Sequence, residues 1–114
     1  MSECAKEITW AGGTHVFDPA SPRVSWMLQV HQSPFPGQYG DTPAAAFKRF
    51  DEGVYSPTDI ERALRLGLIG GGMSEAEADT LISAHVRGKP LHRNAVIAFG
   101  ILTNLFMGVE HADT

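Results

Sequence analysis

Residues 56–88 read SPTDIERALRLGLIGGGMSEAEADTLISAHVRG, and this stretch decides the fold of the chain. Two helix-start signals stand on either side of a run of three glycines, so one helix is expected to end and another to begin within a few residues. Ser56 suits an N-cap, and Pro57 suits the first helical position because its missing N–H would be unpaired there. Asp59 adds negative charge to the first turn, where the helix dipole favours it.

The first of these helices has apolar residues at helical spacing, which predicts one buried face. They are Ile60, Ala63, Leu64 and Leu68. Gly70, Gly71 and Gly72 then form a structural turn that ends the helix, since glycine adopts the left-handed conformation without a steric penalty from Cβ.

The second helix begins with a predicted capping box formed by Ser74 and Glu77. Its apolar face consists of Ala78, Leu81, Ile82, His85 and Val86. The helix is expected to end near Arg87, with Gly88 beyond it. The helix pair is typical of a compact helical domain and contains nothing that resembles catalytic machinery.

The composition is that of one globular domain spanning residues 1–114. The chain is 43% hydrophobic and 19% charged, with a formal net charge of −4. That charge divides evenly, with four basic and six acidic residues over 1–55 (−2) and five basic and seven acidic residues over 56–114 (−2). Because there is no strongly charged tail, no nucleic acid partner is expected.

Cys4 is the only cysteine and cannot form an internal disulfide, which favours a reducing, cytoplasmic location. The N-terminus lacks an apolar signal region, and no window approaches the roughly 18 consecutive apolar residues of a membrane span. The most apolar stretch, residues 95–107, is interrupted by Thr103 and Asn104. It is therefore interpreted as a core helix, and no membrane partner is expected.

The N-terminal region predicts a β-hairpin over residues 6–18, preceded by a frayed N-terminus at residues 1–5. Gly12 and Gly13 separate two short segments of strand-forming residues, which favours a two-residue turn. The expected pairs are Ala11 with Thr14, Trp10 with His15, Thr9 with Val16, and Ile8 with Phe17. This register gathers four residues on one face: Ile8, Trp10, His15 and Phe17. That face should pack on the helices, because an isolated two-stranded ribbon is only marginally stable.

The middle of the chain is less regular. Residues 18–22 predict a turn, and residues 23–32 are compatible with either a short helix or a third strand. Residues 33–43 hold three prolines and two glycines, which excludes regular structure and predicts a surface loop. Phe35 and Tyr39 lie in this loop, where they would either contact a partner or fold back onto the domain.

The remaining sequence predicts a helical region over residues 43–108 and a polar tail over 109–114. One helix covers about 43–52 and ends at Gly53. The last helix covers about 90–106, and because its apolar positions go nearly all round, it is expected to be the central helix. The predicted fold class is mostly α (α+β), an N-terminal β-hairpin packed on a small bundle of about four helices.

The sequence shows no arrangement of reactive residues typical of an enzyme, and neither a cofactor nor a metal is predicted. The five histidines form no H-x-x-x-H pair and have no cysteine partner, so a zinc site is not supported. His85 is interpreted as a packing or interface residue rather than a ligand. A phosphate-binding loop follows a strand and carries a lysine, whereas Gly70, Gly71 and Gly72 follow a helix.

A helix-turn-helix nucleic-acid-binding protein is the alternative function. Helices at 56–70 and 74–87 joined by a glycine turn have about the right size for this motif. The second helix, however, begins EAEAD and has only Arg87 near its far end. Carboxylates at the end that would meet the duplex repel phosphate, which disfavours DNA binding.

A family resemblance rests on the LRLGLIGGGMS run at residues 64–74, Ala76, Ala78, Val86 and the Pro90-Leu91 pair. These residues resemble the gene transfer agent family of small phage-type tail proteins, which is itself similar to phage tail assembly chaperones. The resemblance covers about residues 47–108, and Gly108 corresponds to the glycine near the end of the family's closing helix.

The resemblance implies a non-enzymatic protein that helps to build the tail of a phage or of a phage-derived particle. A tail assembly chaperone holds tail components, such as the tape-measure or tail tube protein, until they polymerise. The implied partners are therefore phage-type tail proteins. An exposed apolar groove on a small helical bundle can hold a client segment of this kind.

The candidate contact residues lie beside the glycine turn: Leu68, Ile69 and Met73. Methionine adapts to varied apolar partners, which suits a client surface. The alternative is that Leu68 and Ile69 close the core while Met73 packs as a hydrophobic staple against the next helix. Further candidates are Phe35, Tyr39 and Phe106.

Overall fold

The chain folds as a two-stranded hairpin packed on helices in a computed structural model that describes residues 3–29 and 35–109. In chain order the elements of these residues are β1 (Lys6–Trp10), β2 (Gly13–Phe17), a 3-10 helix (Pro22–Leu28), α1 (Pro43–Glu52), α2 (Pro57–Gly70), α3 (Glu75–His85) and α4 (Leu91–Met107). The predicted α+β class, with a hairpin on about four α-helices, is confirmed.

Helices α1, α2 and α3 begin at the predicted caps. The side chains of Thr42, Ser56 and Ser74 each accept a hydrogen bond from the backbone N–H three residues on. Asp59 completes a capping box by accepting from the Ser56 N–H. The capping box predicted at Ser74 is only half formed. The Glu77 carboxylate accepts from the Ser74 hydroxyl (3.1 Å) and not from the Ser74 backbone N–H, as a capping box requires.

The central helix is α2, not α4 as the sequence predicted. α2 packs against α3, α4, β2 and the 3-10 helix, and nine of its 14 residues are buried. α4 is apolar on nearly all sides, but one side faces solvent, where Val96 is 59% and Met107 is 77% exposed. Apolar residues on all sides of a helix therefore do not require that the helix be fully buried, since one apolar side can be exposed to solvent.

The hairpin has the predicted inner face but a different register. The observed pairs are Lys6 with Phe17, Glu7 with Val16, Ile8 with His15, Thr9 with Thr14, and Trp10 with Gly13. Since the partners shift by two residues, an even number, the inner face still carries Ile8, Trp10, His15 and Phe17.

The turn is formed by Ala11 and Gly12, one residue earlier than predicted. Both have positive φ (54° and 77°), as the favoured two-residue hairpin turn requires. This register places Gly13 opposite Trp10, whose indole Nε1–H donates to the Asn94 side-chain oxygen at 2.8 Å in the core. Ala11 thus adopts a backbone conformation that suits glycine better, in a register that also allows the hydrogen bond between Trp10 and Asn94.

The triple glycine ends α2, as predicted, and Gly72 is the residue that reverses the chain. Gly72 has a φ of 113°, and its N–H donates to the Ile69 carbonyl (3.1 Å) while the Met73 N–H donates to the Leu68 carbonyl (3.1 Å). These two bonds define a Schellman motif, which satisfies carbonyl groups left unpaired at the end of a helix.

The preceding glycines of α2 have a role that the sequence analysis missed, because they form a seat for the end of β2. A Cβ on Gly70 would lie 1.8 Å from the Asp18 carbonyl oxygen, and one on Gly71 would lie 1.9 Å from the Val16 carbonyl oxygen. The Asp18 N–H donates to the Gly67 carbonyl at 3.0 Å. We call Gly67, Gly70 and Gly71 the glycine seat, because a Cβ would collide with the β2 end at each of them: with backbone at Gly70 and Gly71, and with the Phe17 side chain at Gly67.

The loop before α1 is fixed by Arg49, a buried residue of α1. Its guanidinium donates to both carboxylate oxygens of Asp59 (2.9 and 2.6 Å) and to the carbonyls of Phe35, Gln38 and Gly40. The side chains of this ion pair are only 3% and 2% exposed. Arg49 therefore ties the described part of the predicted surface loop to the domain at three carbonyl groups.

The segment left undecided between helix and strand contains the 3-10 helix, in which Val24 and Met27 are buried. Its last residues, 30–32, and the first two of the predicted loop lie outside the described residues. Arg23 of the 3-10 helix donates to the Ile69 carbonyl at 3.0 Å, which ties this helix to the end of α2.

The two ends of the described chain meet beside α4. The Val109 N–H donates to the Glu3 carbonyl at 2.9 Å, and Cys4 lies against the Leu105 carbonyl. Residues 3–5, part of the predicted frayed N-terminus, are therefore in contact with the domain. Within the described ranges, the longest apolar helix still falls short of what a bilayer crossing needs.

Candidate functional site

The described residues contain no group of three or more histidine, cysteine or acidic side chains placed to hold a metal ion. The acidic residues at the start of α3 are partly engaged in ion pairs, because Arg65 contacts Glu75 at 2.6 Å and Asp79 at 3.0 Å. These exposed ion pairs join α2 to α3 across the glycine turn.

Cys4 lies in surroundings that oppose thiolate formation. Partial burial, followed by the nearby carboxylates of Asp18 and Glu3, raises the pKa of the Cys4 thiol above its usual value. The thiolate is the nucleophilic form of cysteine, so this environment is the reverse of that around an activated nucleophile.

We expect Cys4 to react with iodoacetamide at pH 8 more slowly in the folded protein than in the protein unfolded in urea. The raised pKa lowers the thiolate fraction at that pH, and the difference should shrink as the pH rises past the folded-state pKa. The measurement is the alkylation rate followed by intact mass. Faster alkylation in the folded state would contradict this account of the site.

Three of the six candidate contact residues lie in the core. Leu68 is 1%, Ile69 5% and Phe35 0% exposed. Leu68 and Ile69 thus close the core, which is the alternative given for them from the sequence, and Phe35 folds back onto the domain. A partner cannot reach these side chains unless the domain opens, so we remove them from the candidate surface.

The other three candidates are accessible but lie apart. Met73 is partly buried and lines a cleft of about 440 Å³ with His15 and residues of α3. Tyr39 is 47% exposed, and its hydrogen bond to Glu52 raises the pKa of its hydroxyl. Phe106 is 50% exposed at the end of α4. Partner binding by any of them stays a prediction.

The outer face of α4 is a further candidate surface, which was not predicted from the sequence. Val96, Gly100, Thr103 and Met107 recur at intervals of four, three and four residues, which places them on one side of the helix. Phe106 borders this face and contacts Phe47, with ring centres 5.5 Å apart. The apolar residues on nearly all sides of α4 could have indicated this surface, because they also fit a helix with one solvent-exposed apolar side.

A groove of about 600 Å³ runs between this face of α4 and β1. We call it the α4–β1 groove. Its helix side is formed by Val96, Ile97, Phe99, Gly100, Thr103 and Asn104, and its strand side by residues 6–9. Most of the groove lining is therefore apolar or uncharged, with Lys6 and Glu7 on the strand side.

The strand side of the groove is an open sheet edge. In the observed register Trp10 and Gly13 flank a two-residue turn and exchange hydrogen bonds, so the N–H and C=O groups of Glu7 and Thr9 point away from β2. The Thr9 carbonyl accepts a long bond from Arg93 (3.4 Å). No hydrogen bond to a described residue is made by the Glu7 backbone on this side.

The α4–β1 groove continues past Thr9, toward the start of α4, into another cleft of about 440 Å³ that is separate from the one beside Met73. We call it the basic cleft, because Lys89, Arg93 and His85 line it and no carboxylate does. Neither Lys89 nor Arg93 forms an ion pair within the described ranges. The cleft is thus a locally basic surface on a chain whose net charge is −4.

Comparison with known proteins identifies a family for almost the whole of this fold. A family model described as phage tail tube protein, GTA-gp10, matches residues 4–108, which include the hairpin, the glycine seat and α4. No curated protein and no solved structure matches the chain. The match agrees with the resemblance to gene transfer agent proteins found in the sequence. The chain belongs to this family of phage tail proteins.

Proposed function

We propose that this protein is a tail assembly chaperone, which binds a tail component of a phage or gene transfer agent particle without performing catalysis. The observation that supports this proposal is the α4–β1 groove, a solvent-facing apolar surface beside an open sheet edge. Family membership supports the broader role of a phage-type tail protein and suggests that it is structural. The cytoplasm, where tail components are made, is the proposed site of action.

The exposed apolar residues of α4 favour a protein as the partner. Soluble monomers rarely expose contiguous apolar patches larger than a few hundred Å² without using them for contacts. Val96, Phe106 and Met107 are each at least half exposed. A client that covered them would gain roughly 25 cal/mol for each Å² of apolar surface removed from water.

The client we propose is the tail tube or tape-measure protein before polymerisation. A small groove suits a transient complex, since interfaces of low area are typical of weak encounters that must be released. A nucleic acid client is disfavoured because the first turn of α3 carries Glu75 and Glu77. That end is the one a recognition helix would present to phosphate.

A second candidate is a subunit that remains in the tail tube, and the description of the family favours it. The two roles differ in how many copies of the protein remain in the finished particle. A chaperone is absent from finished particles, whereas a tube subunit is present there in many copies. Quantitative mass spectrometry of purified particles distinguishes the two.

Co-expression with the tail tube and tape-measure proteins of the same particle tests the chaperone proposal. We expect the wild-type chain to raise the soluble fraction of at least one of them and to co-purify with it. Val96→Asp with Met107→Asp should abolish both effects, because two carboxylates cannot be buried unpaired under a client.

The matched control replaces two exposed residues outside this face and outside the cleft beside Met73, Thr58→Asp on α2 and Ala84→Asp on α3. This variant should act like the wild type. Thermal unfolding verifies that both variants fold. Failure of the wild-type chain to bind or solubilise either tail protein would overturn the proposed function.

A further inference from the structure

We infer that the α4–β1 groove takes an extended segment of the tail protein, which adds to the open edge of β1 as a third strand. Apolar side chains of this segment lie over Gly100, and an acidic group lies in the basic cleft beside Lys89 and Arg93. The inference rests on the proposed function and names how its client is bound.

β1 offers unpaired backbone hydrogen-bonding groups to such a segment. Glu7 and Thr9 present outward backbone groups on a two-stranded ribbon, while the corresponding edge of β2 is covered by the glycine seat. An unpaired sheet edge beside an apolar groove is the feature that proteins use to bind a partner in extended form. A strand on β1 would lie about 4.8 Å away, within the groove.

Gly100 is a second, independent feature of the groove that favours a bound segment. It lies in the middle of α4, where glycine costs about 1 kcal/mol relative to alanine. Unlike the glycine seat, Gly100 has open space where a Cβ would be, so no contact within the described chain explains it. Its location on the helix side of the groove explains it if another chain approaches α4 closely there.

The orientation of β1 along α4 gives the segment its length and its two ends. Thr9 of β1 lies by Arg93 near the start of α4, and Cys4, just before β1, lies by Leu105 near its end. The strand and the helix therefore run antiparallel along the groove. The five residues of β1 are enough to pair with a segment about 17 Å long.

The positive charges of the basic cleft favour an acidic group at one end of the bound segment. Lys89 and Arg93 line the basic cleft without a carboxylate partner in the described part of the chain. Glu7 is the one acidic residue of the adjoining groove, and its side chain is exposed. An aspartate, a glutamate or a terminal carboxylate at this end of the segment would complement the cleft.

A strand fits these features better than a helix. An α-helix is about 10 Å wide with its side chains and makes its backbone hydrogen bonds internally, so it would leave the Glu7 and Thr9 groups of the β1 edge unpaired. An extended segment pairs them and alternates its side chains, so that every second one faces α4. The pairing would also make a three-stranded sheet from a marginal ribbon.

The first test uses Gly100→Leu and the recombinant tail tube and tape-measure proteins. Because its Cβ enters open space, the leucine should raise the thermal midpoint of the free protein or leave it unchanged. It should also weaken binding at least tenfold in calorimetry. Ala84→Leu, which adds a leucine to an exposed position of α3, is the matched control and should bind like the wild type.

The second test distinguishes a strand from other occupants. Amide hydrogen exchange by NMR should show the Glu7 and Thr9 amides becoming at least tenfold more protected when the bound tail protein saturates the groove. Loss of binding in Gly100→Leu without protection of these amides would show that the occupant does not pair with β1 and would overturn the strand inference.

The third test addresses charge. Lys89→Glu with Arg93→Glu should weaken binding at least tenfold and reduce its salt dependence, whereas Arg62→Glu, an exposed cation outside both clefts, should not. Binding that survives both the leucine and the charge reversal would exclude this site but leave the chaperone role intact. No binding by the wild type would instead reject the proposed function.

Discussion

Replacing Arg49 with alanine is expected to lower the free energy of unfolding by about 3–5 kcal/mol, because it leaves a buried carboxylate without its partner. Asp59 is 2% exposed, and Arg49 provides both hydrogen bonds to its carboxylate oxygens from α1. The same guanidinium binds three carbonyls of the preceding loop. Urea denaturation measures the loss, and the Phe35 segment should become accessible to protease in the variant.

Two further variants separate charge from geometry. Arg49→Lys keeps the charge but cannot donate to a carboxylate and three carbonyls from one planar group, so most of the loss should remain. Arg62→Ala removes an exposed arginine and should change stability by less than about 0.5 kcal/mol. A stability in Arg49→Ala equal to that of Arg62→Ala would refute the role given to the buried pair.

Gly70→Ala is expected to cost about 3 kcal/mol, even though alanine is the better helix former. Its Cβ would overlap the Asp18 carbonyl, a backbone atom that can yield only if the end of β2 moves away from α2. Movement of the hairpin should break the hydrogen bond from Trp10 to Asn94. The NMR shift of the Trp10 indole N–H, together with thermal unfolding, reports both effects.

Gly72→Ala and Gly100→Ala are the matched controls for the glycine seat. Gly72 has positive φ and open space at the Cβ position, so alanine there should cost about 1–2 kcal/mol through backbone strain and leave the hairpin in place. Gly100→Ala should be stabilising. If Gly70→Ala proved as mild as Gly72→Ala, the glycine seat would not be what positions the hairpin.

The features predicted correctly from sequence depend on local interactions. Ser56, Asp59 and the glycine run specify the limits of α2 through bonds between residues no more than five apart. The inner face of the hairpin follows from alternation and survives an even shift in register. Neither inference requires knowledge of distant contacts.

The features missed depend on residues far apart in the chain. The hairpin register coincides with a bond between Trp10 and Asn94, and the loop is fixed by the pairing of Arg49 with Asp59. The glycine run predicted a turn but not a seat, because the approach of Asp18 to Gly70 is visible only in three dimensions. The periodicity of a sequence predicts helices and strands but does not show which of them pack against each other.

The burial of Leu68 and Ile69 was not predicted for a similar reason. Leu68 and Ile69 were chosen for their proximity to glycines without side-chain cover, but the hairpin and the 3-10 helix occupy that region. The three most exposed large apolar residues of the described chain, Val96, Phe106 and Met107, are instead on α4. A residue such as Val96 shows its exposure only after the neighbours of its helix are known.

The glycine seat has a consequence for the order in which the nascent chain matures. The hairpin leaves the ribosome first, yet the residues that receive it are synthesised about 50 positions later. At bacterial translation speeds that interval is about 3–10 s. During this time both strand edges lack cover, so a factor that shields them early would raise the yield of native protein, whereas slowing elongation between Pro22 and Gly67 would lower it.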